Sequence, residues 1–294
     1  MLRKLISLLT LLLLAACSAP ASSPSNGSLA VVVTTSIIGD VAGQVGGSHV
    51  NIRTLMPIGS DPHAYEPRPQ DIAALTDADL VLVNGLGLEA TLSNLLGNAK
   101  VTVVLSDGIQ ALPFNGEGGG LDPHVWQDPK DVIVWVHNIA AAFAKADPPN
   151  AQEYASNAQA YISELTALDA WIVGQVAQVP VQNRKLVTEH DTFGYFAARY
   201  GFELTGEIIP SVSTGSSPSA QELAALEDAI RRSGVKAVFV GSTVNPDLSR
   251  RVAEDTGVPL VSLFTDSLSA AGGNAESYLA FMRYNVNAIV KALK

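Results

Sequence analysis

The 294-residue chain holds one cysteine, Cys17, so no disulfide can form within it even in an oxidising compartment. It also lacks a nucleotide P-loop and a full Gly-x-Gly-x-x-Gly fingerprint; Gly85, Gly87 and Gly118 to Gly120 read as turns instead. His-Glu-x-x-His and Gly-x-Ser-x-Gly are both missing, which removes the commonest signatures of a zinc hydrolase and of a serine hydrolase. Basic residues are the scarcer charge, 18 against 28 acidic, for a net charge of −10. That balance argues against nucleic acid and suits a cationic partner. The one long apolar run, residues 5–16 after Arg3 and Lys4, is too short to span a bilayer and has the layout of an export signal.

What is present is a globular composition, 47% hydrophobic, with enough chain for one large domain or two ordinary ones. The leader ends Leu14-Ala15-Ala16-Cys17, which resembles the bacterial lipobox, whose cysteine becomes the lipidated first residue of the mature protein. The chain is accordingly read as a signal peptide (1–16) and a Ser/Pro/Ala/Gly tether (17–28) lipidated at Cys17, followed by folded protein.

From residue 29 the pattern alternates short apolar runs with helical periodicity: strands at 29–34, 51–56, 79–84 and 101–105, helices at 37–45, 69–75 and 130–145. Two Pro-bounded loops interrupt it, and each carries a histidine, His63 and His124. Asp128 with Pro129 behind it reads as a helix cap rather than a ligand. His137, inside the helix, reads as a satisfied structural histidine, and His49 as a surface turn residue. Residues 150–179 repeat apolar positions every three or four residues (Tyr154, Ala158, Tyr161, Leu165, Leu168, Ile172, Val176), which marks one long amphipathic helix. It is either a rigid strut between two lobes or a long crossover within one sheet; the βα pattern that restarts after Pro180 favours the strut. Strands then follow at 185–188, 204–207, 235–240 and 260–263, with helices at 192–200, 217–233, 246–256 and 275–293. The expected fold is α/β, two βαβ-type lobes with parallel sheets (29–147 and 181–294) joined by one long backbone helix (148–180).

His190 follows the strand at 185–188 and Asp266 the strand at 260–263, so three histidines and one aspartate stand in strand-end loops, two in each half. Loops beyond the carboxyl ends of parallel strands are where α/β folds bind ligands. Imidazole nitrogens with one carboxylate oxygen are a four-coordinate zinc set, and a shell closed by protein alone means binding rather than hydrolysis.

Six segments carry a wider resemblance: TTSIIGDVA (34–42), PIGSDPHAYEPRPQD (57–71), ADLVLVNGLGLE (78–89), DPHVWQDP (122–129), EHDTFGYFAARYG (189–201) and TDSLS (265–269). In this order they resemble the zinc and manganese solute-binding lipoproteins of bacterial metal-uptake ABC transporters, over essentially the whole mature chain. The resemblance implies metal ligands at His63, His124, His190 and Asp266, and a non-enzymatic receptor lipid-anchored at the outer face of the cytoplasmic membrane. It further implies a monomer that delivers its ion to a permease and its ATPase. Histidine rather than glutamate at 190 points to Zn2+, with Mn2+ or a mixed Zn/Mn cargo as the alternative. Two features depart from the family patterns: residues 115–120 contain no histidine where many zinc-specific members have a His-rich loop, and Gly241-Ser242 stand where manganese-type relatives often have glutamate. A siderophore-binding protein and a zinc hydrolase are the remaining rivals. Because ligand imidazoles must be neutral, affinity is expected to fall below about pH 6.5.

Overall fold

A computed structural model of the chain describes residues 27–114, 119–211 and 214–294. The signal segment and Cys17 lie outside the described residues. The first sheet contains β1 (Leu29–Val33), β2 (Val50–Thr54), β3 (Leu80–Val83) and β4 (Thr102–Val104) in the order β2-β1-β3-β4. The second repeats that order with β5 (Lys185–Thr188), β6 (Glu203–Glu207), β7 (Val238–Gly241) and β8 (Leu260–Leu263) as β6-β5-β7-β8. All six strand pairings are parallel. Parallel sheets are covered on both faces, and β1, β3 and β7 are accordingly near-continuous apolar runs rather than alternating ones.

The helices begin where their caps dictate. α1 (Ser36–Gly46) starts behind Thr35, whose hydroxyl accepts from Ile38 N. α4 (Pro129–Ala146) starts behind Asp128, whose carboxylate accepts from Lys130 N at 2.8 Å, which is the expected cap. α2 (Pro69–Asp77) and α3 (Ser93–Leu96) complete the first half, and α6 (Gly194–Tyr200), α7 (Ala220–Ser233), α8 (Asp247–Thr256) and α9 (Tyr278–Leu293) the second. His137 departs from expectation: it is exposed, because the buried stripe of α4 runs through Val132, Trp135, Val136, Ile139 and Phe143 and leaves position 137 off it. His49 is half-buried at the surface and bonded to Glu153 at 2.8 Å.

The long helix is α5 (Ala151–Val176), 26 residues, roughly 39 Å at 1.5 Å per residue. Its buried face is made of the seven positions that the periodicity picks out, Tyr154 to Val176. Full burial of a Leu or Ile there stabilises by about 1.5–3 kcal/mol each. α5 packs against α1, α4 and α9, and one continuous core runs from the inner face of the first sheet through these helices to the second. Two smaller clusters fill the outer faces. Arg199 on α6 grips Asp169 of α5 through two guanidinium nitrogens, and Tyr200 donates to the same carboxylate at 2.9 Å. Among the described residues no helix is long and apolar enough to cross a membrane.

Candidate metal centre

The four expected ligands come together. His63 stands in the loop after β2, His124 just ahead of α4, His190 two residues past β5 and Asp266 three past β8. One donor atom from each lies within 4.8 Å of all the others. His124, His190 and Asp266 are 1–2% exposed, whereas His63 is half-buried.

His63 Nε2 and His124 Nε2 stand 3.0 Å apart, and Asp266 Oδ1 lies 3.8 Å from both His124 Nε2 and His190 Nε2. Two donors about 2.1 Å from a shared ion at the tetrahedral angle stand about 3.4 Å apart, and the observed separations straddle that value. At 3.8 Å no hydrogen bond forms, and His190 Nε2 and Asp266 Oδ1 are both buried with no hydrogen-bond partner among the described residues. Buried polar atoms are nearly always satisfied, so two orphans facing a third and fourth donor mark a centre suited to chelating a cation.

The outward-facing nitrogens explain why these atoms converge. His124 Nδ1 is held by Asp122 Oδ1 at 2.7 Å and His190 Nδ1 by Glu189 Oε2 at 2.8 Å. Each bond takes the Nδ1 hydrogen and leaves the Nε2 lone pair directed inward. Asp266 is aimed the same way: its Oδ2 accepts from Thr265 Oγ1 at 2.6 Å and Thr243 Oγ1 at 3.1 Å, which leaves Oδ1 for the centre. The His63 and His124 turns share a device, an aspartate two residues upstream accepting the histidine backbone N–H, Asp61 at 2.8 Å and Asp122 at 2.9 Å. Thr214 of the second half donates to Asp61 in turn.

Charge in the centre is uneven. Burial, reinforced by His124, drives the His63 pKa down to about 3, so this imidazole is neutral and ready to bind. Burial also works against the His190 imidazolium, but the Asp266 and Glu189 carboxylates together outweigh it, and its pKa stands well above the ordinary imidazole value. Burial opposes the charge on Asp266 as well, yet the surrounding histidines, His190 first, hold its carboxyl well below the usual range.

Hydrogen bonds between chain segments more than 70 residues apart hold these loops together. Tyr195 of α6 donates to Asp122 O at 2.8 Å, Trp126 Nε1 to Thr265 O at 2.8 Å, Tyr278 of α9 to Trp126 O at 2.8 Å, and Gly59 N to Ser267 Oγ at 2.8 Å. Sequence reasoning missed the supporting roles of Asp61, Asp122, Thr243 and Thr265, although the repeated Asp-Pro-His of 61–63 and 122–124 was a visible signal for the first two. Glu189, a rival ligand by its position beside His190, lies behind that histidine instead, on Nδ1.

Two four-stranded parallel sheets on a long helix, with three imidazoles and one carboxylate gathered at a mostly buried centre, define a protein built to hold a metal ion. The chain belongs to the ZnuA family, described as zinc-uptake complex component A, periplasmic, which it matches over residues 31–292. It is 36% identical over 275 residues to the manganese-binding lipoprotein MntA of Halalkalibacterium halodurans, covering 92% of this chain and 91% of that protein. It is 32% identical over 302 residues to the manganese ABC transporter substrate-binding lipoprotein PsaA of Streptococcus pneumoniae, covering 98% and 97%. Among solved structures, the periplasmic zinc-binding protein TroA of Treponema pallidum superposes with a TM-score of 0.85 at 31% identity, over 91% of this chain and 99% of that one. The protein is thus a divalent-metal-binding, extracytoplasmic component of an ABC uptake transporter and not an enzyme.

Proposed function

We propose that the chain is the receptor of a manganese or mixed manganese/zinc uptake system, with His63, His124, His190 and Asp266 as the four ligands. The observation that carries the site is the pair of orphaned buried atoms, His190 Nε2 and Asp266 Oδ1, facing each other beside two imidazole nitrogens. Manganese is named as the ion of the relatives MntA and PsaA, and it takes precedence over the zinc reading of the sequence as the cargo. Zinc stays as a second reading on one observation: three of the four donors are imidazoles, and for such a set affinity rises from Mn2+ to Zn2+. The two are compatible if zinc binds more tightly in vitro while availability decides what is carried.

In this proposal residues 29–147 and 181–294 are the two lobes, and residues 148–180 link them. The ion clamps loops from both while α5 and the shared core restrict motion to those loops rather than a wide hinge. A lipid on Cys17 holds the receptor at the outer face of the cytoplasmic membrane, and the loaded monomer docks on a permease served by an ATPase. Metal content of protein purified without chelator, followed by zinc against manganese competition, tests the cargo. His190→Ala tests the site: affinity should fall by more than the roughly 10- to 100-fold that loss of an outer partner causes. Unchanged affinity would mean that the ion binds elsewhere.

A further inference from the structure

We propose that Glu189 is a positioning residue that tilts this shell toward zinc over manganese. The inference rests on the ligand assignment above and concerns a residue that does not touch the ion. Glu189 is 3% exposed. Its backbone is fixed by the sheet, because the pairing of β5 with β6 continues past the strand ends through Ile208 N to Thr188 O at 3.0 Å and Ile209 N to Glu189 O at 2.8 Å. From that anchored position Oε2 reaches His190 Nδ1 at 2.8 Å, and Oε1 has no hydrogen-bond partner among the described residues. The side chain therefore makes one polar contact, and that contact is to a ligand.

The three imidazoles are not supported alike. His124 is backed by Asp122 and His190 by Glu189, whereas no carboxylate bonds the His63 ring among the described residues. Asp122 is also needed for the backbone turn, since the same Oδ1 accepts His124 N at 2.9 Å. Glu189 has no such second duty. A charged acceptor behind an imidazole fixes the ring and strengthens donation from the opposite nitrogen. That gain is larger the more covalent the metal–nitrogen bond, so it favours Zn2+ over the harder Mn2+. The His3Asp donor set already favours Zn2+ over Mn2+ in affinity, and the carboxylate behind His190 widens that gap.

Glu189 also borders a pocket of about 490 Å³ lined by Thr214, Ser217, Asn245 and Leu248. A shorter or neutral side chain there faces this space and leaves no sealed cavity, so the variants should fold. The experiment compares zinc and manganese affinities, by chelator competition, of the full chain and of Glu189→Gln and Glu189→Ala. The near-isosteric Glu189→Gln keeps an acceptor and removes the charge. Zinc affinity should fall by about 10-fold in Glu189→Gln and by up to about 100-fold in Glu189→Ala, while manganese affinity of Glu189→Gln changes less than about threefold. The visible spectrum of bound Co2+ should shift in Glu189→Ala as the His190 ring loses its orientation. An unchanged zinc-to-manganese ratio in Glu189→Gln overturns the proposal, whether both affinities fall together, as a packing role would give, or neither falls. If the unaltered chain bound neither ion, the receptor reading would fail instead.

Discussion

Gly194, the first residue of α6, is the point where the second half of the chain presses on the support of His124. A Cβ built there would lie 2.5 Å from Asp122 Oδ2 and 3.7 Å from its Cγ. An unstrained carbon–oxygen contact is about 3.3 Å, so Gly194→Ala requires the carboxylate to withdraw by about 0.8 Å. Asp122 has no slack to do so: it is 1% exposed, its Oδ1 holds both His124 N and Nδ1, its carbonyl accepts from Tyr195 and its N–H donates to Leu112 O at 2.9 Å. Overpacking of this kind costs about 1–3 kcal/mol, which in a chain of this size lowers Tm by roughly 2–5 °C. Tilting the His124 ring should weaken metal binding by about 10- to 100-fold, although Gly194 touches no ligand. Gly174, on an α5 turn with nothing within 4 Å of a built Cβ, is the control; alanine there should stabilise by up to about 1 kcal/mol. Differential scanning fluorimetry and chelator competition would measure both variants. Wild-type affinity and Tm in Gly194→Ala would refute the packing argument.

Acidity should act at higher pH than unperturbed imidazoles suggest. His190 has its folded pKa raised well above 6.5, so the proton that the ion must displace is held to higher pH than on a free imidazole, and affinity should go on rising with pH above 6.5; affinity that is flat between pH 6.5 and 8 would contradict this. In the metal-free form the sign is reversed: a raised histidine pKa contributes stability that is complete below about pH 6.5 and lost as pH climbs through the folded value, so the apo protein should melt earlier in alkaline buffer. Asp131, in the first turn of α4, is pushed up to about 7 by burial and by Asp128. The raised value costs stability that accrues as pH climbs from about 4 and is complete above about 7, so Asp131→Asn should raise Tm at pH 8 and leave it unchanged only below about pH 4. Tyr195→Phe removes the donor to Asp122 O and the acceptor for Leu112 N at 3.1 Å, and should cost about 1–3 kcal/mol in urea unfolding.

Local pattern made most of the architecture legible. The central strands β1, β3, β5 and β7 leave apolar runs between turn residues, and the seven buried positions of α5 could be named because a single stripe at helical period needs no knowledge of its neighbours. The ligands were legible for a related reason, since each sits in a loop marked by proline or by an abrupt change from apolar to acidic residues. What supports them was not. Asp122 meets Tyr195 across 73 residues and Trp126 meets Thr265 across 139, and no periodicity encodes such partners. Helix ends were blurred where polar residues precede the cap: α7 begins at Ala220 because Ser219 and Glu222 close a capping box, three residues after the point that the Ser-Pro signal suggested. His137 was misplaced because its neighbours are apolar, whereas position 137 itself lies off the buried stripe of α4 and faces solvent.

The four ligands also have an order in time. Residue 63 is made early, residue 266 among the last 30, and the centre needs both, so no fragment that stops before β8 can assemble it. Closing a loop of some two hundred residues comes late in folding, after local contacts have reduced its entropy. With the proposed ligand set, tight binding is therefore acquired only once the whole chain has been made.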